Sequence, residues 1–195
     1  ALYFLKQGNI IAHLIDRVKF RIFPKLQIVS NFPTHIDIES ASHCQMKCPM
    51  CYTTYLEASK KGTMKLELYK RIIDQAVAGN VYSVKISWRG EPLLNNRIVD
   101  MVRYAKESGI KEVAMLSNGE LLTQNLAEKL VDSGLDWISF SADGMGEIYE
   151  TIRAPATFEE TVGKVRYMRK YRDGLGRSKP LIRVQSILSA FKENS

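Results

Sequence analysis

Cysteine is scarce in this chain: three residues in 195, all between positions 44 and 51. Three clustered thiols argue against a disulfide framework and for a reducing compartment, so the cytoplasm is the expected location. No apolar run approaches the roughly 20 residues needed to cross a bilayer, and no membrane partner is expected. The opening residues Ala1-Leu2-Tyr3-Phe4-Leu5-Lys6 lack the basic, then apolar, then small-residue pattern of a signal peptide. No G-x-G-x-x-G turn follows the first predicted strand, which excludes the dinucleotide-binding fingerprint. Basic residues outnumber acidic ones, 28 to 21, for a net charge of +7. No basic stretch is interleaved with aromatics, so the excess reads as a solvated surface and nucleic acid is not expected. With 45% hydrophobic and 25% charged residues, the chain has the composition of an ordinary globular domain with a sizeable core.

The three cysteines stand in the pattern C-x3-C-x2-C, as Cys44, Cys48 and Cys51, just after the alternating run His35-Ile36-Asp37-Ile38-Glu39. That run reads as a β-strand. Thiolates spaced this tightly converge on something small, and a metal centre is the natural candidate. A structural zinc site wants a fourth ligand, which His43 or His35 could supply; a second cysteine pair does not exist. A four-iron cluster is commonly held by four cysteines, so three would leave one iron without a protein ligand.

Before this motif, Ile11, Leu14, Ile15, Val18 and Ile22 fall at helical spacing with basic residues between them. Such a stripe either lies on a membrane surface or packs on its own domain, and the second is expected here. Residues 1–33 are therefore read as an N-terminal helical segment on a core spanning 34–195. Within the core, strands are expected over 35–41, 83–88, 112–117, 137–142 and 181–188. Helical patterns fall between them: Leu66 to Val77, Ile98 to Ala105, Leu126 to Val131, and Phe158 to Arg169. Gly109 and Gly134 close the second and third, and Thr123 opens the third. Strand–helix alternation at this spacing means a parallel sheet with right-handed crossovers, either open or closed towards a barrel.

Functional residues in parallel α/β folds sit at the carboxyl ends of the strands. The first strand delivers the cysteines to that rim. The second delivers Trp88-Arg89-Gly90-Glu91-Pro92, the third Ser117-Asn118-Gly119, and the fourth Ser141-Ala142-Asp143-Gly144. Each dipeptide alone is an ordinary turn signal; four polar, glycine-containing loops in phase with three thiols are not.

From about Ile36 onward these motifs resemble the radical S-adenosylmethionine (SAM) superfamily. The resemblance implies an α/β fold, a partial (β/α) TIM-like barrel with five of its usual six strands present. It implies a [4Fe-4S] cluster on Cys44, Cys48 and Cys51, whose open iron chelates the methionine moiety of SAM. Electron transfer into the sulfonium would then release a 5'-deoxyadenosyl radical that abstracts hydrogen from a substrate. Gly90-Glu91-Pro92 matches the family's G-E-P element, whose glutamate receives the ammonium of SAM. Asn118, Ser141 and Arg153 match further SAM-site positions, Arg153 pairing with the carboxylate, and Asp143 touches the ribose or sets the turn. Two residues depart from the family pattern: Met50 stands where an aromatic is frequent, and Ala142 where a bulkier aliphatic is usual.

The runs around Cys-Pro-Met-Cys and Gly62-Thr63-Met64 look most like the SPASM/twitch branch, which modifies peptides, proteins, sugars and small molecules. That branch carries auxiliary clusters in a cysteine-rich C-terminal extension, and no cysteine follows Cys51. The chain is accordingly expected to be a truncated core lacking its last strand. The implied partners are a peptide, sugar or small-molecule substrate and an electron donor such as flavodoxin or ferredoxin. No catalytic acid or base is assigned. The rival readings are a zinc-stabilised binding module and a SAM-binding scaffold without turnover.

Overall fold

The computed structural model describes residues 10–187. Five strands form one sheet: β1 (His35–Asp37), β2 (Ser83–Lys85), β3 (Glu112–Ser117), β4 (Trp137–Ser141) and β5 (Leu181–Gln185). They lie side by side in chain order, and every neighbouring pair is parallel. A doubly wound sheet reverses its strand order at a switch point. An unbroken sequential order is the arc of a barrel instead, which resolves the choice left open by periodicity.

Helices fill the crossovers. After α1 (Ile10–Lys25) come α2 (Leu66–Ala78), α3 (Ile98–Glu107), α4 (Gln124–Asp132), α5 (Gly146–Ile152) and α6 (Phe158–Gly174). α3 and α4 stop at Gly109 and Gly134, whose φ values of 106° and 87° suit glycine. Thr123 caps α4, its side chain accepting from Leu126 N at 3.2 Å. Against their fully buried residues, among them Tyr69, Ile73, Met101 and Leu130, lies one face of the sheet: Val84, Ile86, Val113, Met115, Ile138 and Phe140.

The other face is different. In register across the strands stand His35, Ser83 and Glu112 at one level and Asp37, Lys85, Ala114 and Trp137 at the next. They bond to one another: His35 Nδ1 meets Ser83 Oγ at 2.7 Å, Lys85 Nζ meets Asp37 at 3.0 Å, and Trp137 Nε1 donates to Glu112 at 3.1 Å. Parallel strands are usually apolar on both sides. A polar interior face is one that water or a polar ligand can occupy.

The first two strands are shorter than expected, for a physical reason. After Asp37 only Ile38 N continues the ladder, to Lys85 O at 2.8 Å. The chain then turns to bridge Ala41 with Thr63 in antiparallel fashion, with Met64 N on Ser40 O at 2.9 Å. β2 likewise ends in a single further bond, Ile86 N to Ala114 O at 2.8 Å. Leu188, expected at the end of the fifth strand, lies outside the described residues.

α1 meets the body by a face the sequence did not suggest. His13 and Asp16 are buried, and Tyr82 OH lies 3.4 Å from His13 Nδ1. Ile11, Leu14, Ile15, Val18 and Ile22 are exposed. The polar side reaches Tyr82, just before β2, and the apolar stripe faces outward.

Candidate functional site

The cysteine loop is held from inside and from below. Cys51 N bonds Cys48 O at 3.0 Å, Thr54 Oγ1 donates to Cys48 O at 3.1 Å, and Cys51 Sγ lies 3.0 Å from Thr53 Oγ1. Beneath it Met46 and Cys48 pack on Tyr149 and Ala156, with Lys47 N on Ala154 O at 3.4 Å. α5 and the turn after it therefore form the floor on which the loop rests.

β2 delivers Gly90 and Glu91 against the same loop. A Cβ on Gly90 would collide with Ala41 O and sit 2.8 Å from His43 O, and Glu91 N donates to His43 O at 2.9 Å. Glycine is required here because two backbones touch. The Glu91 carboxylate is buried. Its Oε1 accepts from Leu93 N at 3.0 Å and Ser117 Oγ at 2.8 Å, and its Oε2 from Asn118 N at 2.8 Å. A carboxylate offers about four acceptor positions, so one remains for a ligand. Burial pushes the Glu91 carboxyl up to about 7, against the lowering pull of the Asn118 and Leu93 N–H groups and the Ser117 hydroxyl.

On the far side, Arg153 donates through Nε to Asp143 Oδ2 at 2.8 Å, and through Nη2 to the same oxygen. Asp143 is fully buried, and its Oδ1 accepts from Ile187 N at 2.7 Å. The carboxylate thus holds the guanidinium and the chain beyond β5. Glu150, three residues before Arg153, is turned to Phe158 N instead and accepts from it at 3.1 Å.

The structure brings eight of the nine expected residues to one cleft: the three cysteines, Gly90, Glu91, Asn118, Ser141 and Arg153. Asp143 stands behind Arg153 and does not line it. Met50, partly buried, packs against the cluster of Met46, Cys48, Tyr149 and Ala156, while Tyr52 is exposed with the Arg89 guanidinium 5.3 Å from its ring centre. Sequence reasoning missed Gln45, which bonds Asn118 and Glu120, and Thr53 beside Cys51. The C-x-T pattern at 51–53 was its only trace.

A parallel barrel arc with three thiols on its carboxyl rim defines a class of proteins that mount a cofactor at the strand ends. The chain belongs to the radical SAM superfamily, whose family model matches residues 38–176. It is 29% identical over 162 residues to the tungsten-containing aldehyde ferredoxin oxidoreductase cofactor-modifying protein of Pyrococcus furiosus, covering 82% of this chain and 44% of that one. To the AdoMet-dependent heme synthase of Methanosarcina barkeri it is 30% identical over 144 residues, 73% and 41% of the two chains. The chain thus spans less than half the length of these relatives. Among solved structures, Streptococcus suis SuiB bound to S-adenosylmethionine superposes with a TM-score of 0.69 at 19% identity, covering 89% of this chain and 38% of SuiB. These likenesses support the SPASM/twitch type of radical SAM protein and the partial TIM-like barrel.

The superfamily uses a [4Fe-4S] cluster and S-adenosylmethionine, and the donor set can be tested against the first. Among the described residues, no three His, Cys, Asp or Glu side chains close round a single metal ion. A structural zinc takes four ligands on one ion, whereas in a four-iron cluster each of three thiolates takes a different iron. Of the two histidines a zinc site could draw on, His35 stands at the opposite end of β1, while His43 beside the loop places Nδ1 3.3 Å from Gly62 O. Burial pushes the Cys44 thiol up to about 11 and raises Cys48 as well, Arg153 opposing the latter. Thiols that resist ionisation on their own become thiolates when a cation binds them. The residues fit the group.

Proposed function

We propose that this chain is the core of a radical SAM enzyme in which Cys44, Cys48 and Cys51 hold the [4Fe-4S] cluster and Gly90, Glu91, Ser141 and Arg153 seat SAM. The observation that carries this reading is the arrival of all seven at one cleft on the carboxyl rim. When bound, the pair supplies reductive cleavage of the sulfonium and a hydrogen-abstracting 5'-deoxyadenosyl radical.

The chain's own residues bind, orient and shield. Glu91, fixed by three donors, offers its remaining acceptor position to the ammonium. Arg153, fixed by Asp143, keeps donors for the carboxylate. The buried floor of Met46, Tyr149 and Ala156 excludes water from one side of the cluster loop. The polar inner face of the sheet, with Lys85, Trp137 and Ser139, is the ground a polar substrate would occupy. A peptide, sugar or other small molecule is the proposed substrate class, with a one-electron protein such as flavodoxin or ferredoxin as the donor.

The test is anaerobic reconstitution followed by dithionite and SAM, with 5'-deoxyadenosine measured by chromatography. Product in wild type and none in Cys48→Ala supports the proposal. A reconstituted, SAM-binding protein that releases none is a scaffold.

A further inference from the structure

Asn118 faces the cluster loop in a way that sets it apart from the SAM-seating residues. Its side chain Nδ2 lies 3.3 Å from Cys44 Sγ. Its Oδ1 accepts from Glu120 N at 3.0 Å and from Gln45 Nε2 at 3.2 Å. A backbone N–H can only donate, so the amide cannot be turned round, and Nδ2 must be the atom facing sulfur. Gln45 is held in turn by a second bond from Nε2 to Glu120 Oε2 at 3.0 Å. The Asn118 peptide is pinned as well, its N–H on Glu91 Oε2 at 2.8 Å, and the residue is buried. As a free thiol, Cys44 points at Gln45 Oε1 at 3.6 Å. A metal-bound thiolate has no proton for that contact, and the amide N–H of Asn118 is then the donor aimed at it.

We propose that Asn118 donates a hydrogen bond to the Cys44 thiolate of the bound cluster and raises its reduction potential. The inference rests on the cluster reading above and deepens it. Reduction adds negative charge to the cluster and its sulfurs, so a fixed N–H donor stabilises the reduced form more than the oxidised one. Gln45 and Glu120 act through Asn118, as outer partners that orient a group near a metal.

The test is an EPR-monitored redox titration of the reconstituted protein without SAM. Asn118→Ser keeps an oxygen for the Glu120 N–H but cannot reach Cys44, and introduces no charge. Its midpoint potential should lie below that of wild type at equal iron content; an unchanged potential overturns the proposal. Should the variant load iron poorly, wild type grown with 15N-asparagine decides. Hyperfine coupling of that nitrogen to the reduced cluster supports the bond, and its absence overturns it. A wild type that takes up no iron removes the cluster reading itself, and this inference with it.

Discussion

At the scale of single residues, three positions carry the site's energetics. Glu91 is a carboxylate whose folded-state value is raised to about 7, burial being the largest cause. Below that pH it is protonated and presents no charge to an ammonium. SAM affinity of the cluster-loaded protein should therefore fall as pH drops through about 7, approaching tenfold per unit. Glu91→Gln should weaken binding by about ten- to a hundred-fold, equivalent to roughly 1.5–3 kcal/mol for one charged hydrogen bond, and remove the pH dependence. Calorimetry at pH 6 and 8 checks both. Gly90 has no room to change, since a Cβ would meet backbone carbonyls that cannot swing aside. Gly90→Ala should cost about 1–3 kcal/mol in a urea melt, the scale of overpacking. Arg153, proposed above for the SAM carboxylate, also holds Asp143. Removing it strands the fully buried Asp143, so Arg153→Ala should lose on the order of 3–5 kcal/mol of stability. A melt unchanged from wild type would show that the pair is not buried as described.

At the scale of elements, the sequence was readable wherever a period could repeat. Five strands and the helices between them, the Thr123 cap and the two closing glycines stood where alternation and spacing put them. α5 was not legible. It has seven residues, too few for a helical stripe, and only Tyr149 and Ile152 are buried. Its part in the site is nevertheless large, because Tyr149 lies under the cysteine loop and meets Thr161 Oγ1 at 3.0 Å. Tyr149→Phe should cost about 1 kcal/mol, one hydrogen bond. Tyr149→Ala should cost about 3–5 kcal/mol and lower iron retention, because it opens a cavity beneath Cys48. The packed face of α1 was also misjudged. Spacing located its apolar stripe, but a buried His13 and Asp16 cannot be foreseen from periodicity, which scores polar residues as outward. The Asp143–Arg153 pair was hidden for a related reason: both residues resembled ligand contacts, and only the fold shows that they hold each other.

At the scale of the molecule, the architecture separates support from chemistry. One face of the sheet is apolar and buried under helices, the other carries linked polar side chains, and the carboxyl rim gathers the thiols. Among the described residues no helix is long and apolar enough to cross a membrane. The chain covers 44% and 41% of the length of two curated relatives. The core's own claim is that three thiolates hold four irons and leave one open. Mössbauer spectroscopy of the 57Fe-reconstituted chain, with and without SAM, tests it most directly. The account predicts about four irons per chain, one of which changes its signal when SAM is added while three do not. A single zinc in place of iron, or four irons indifferent to SAM, would contradict it.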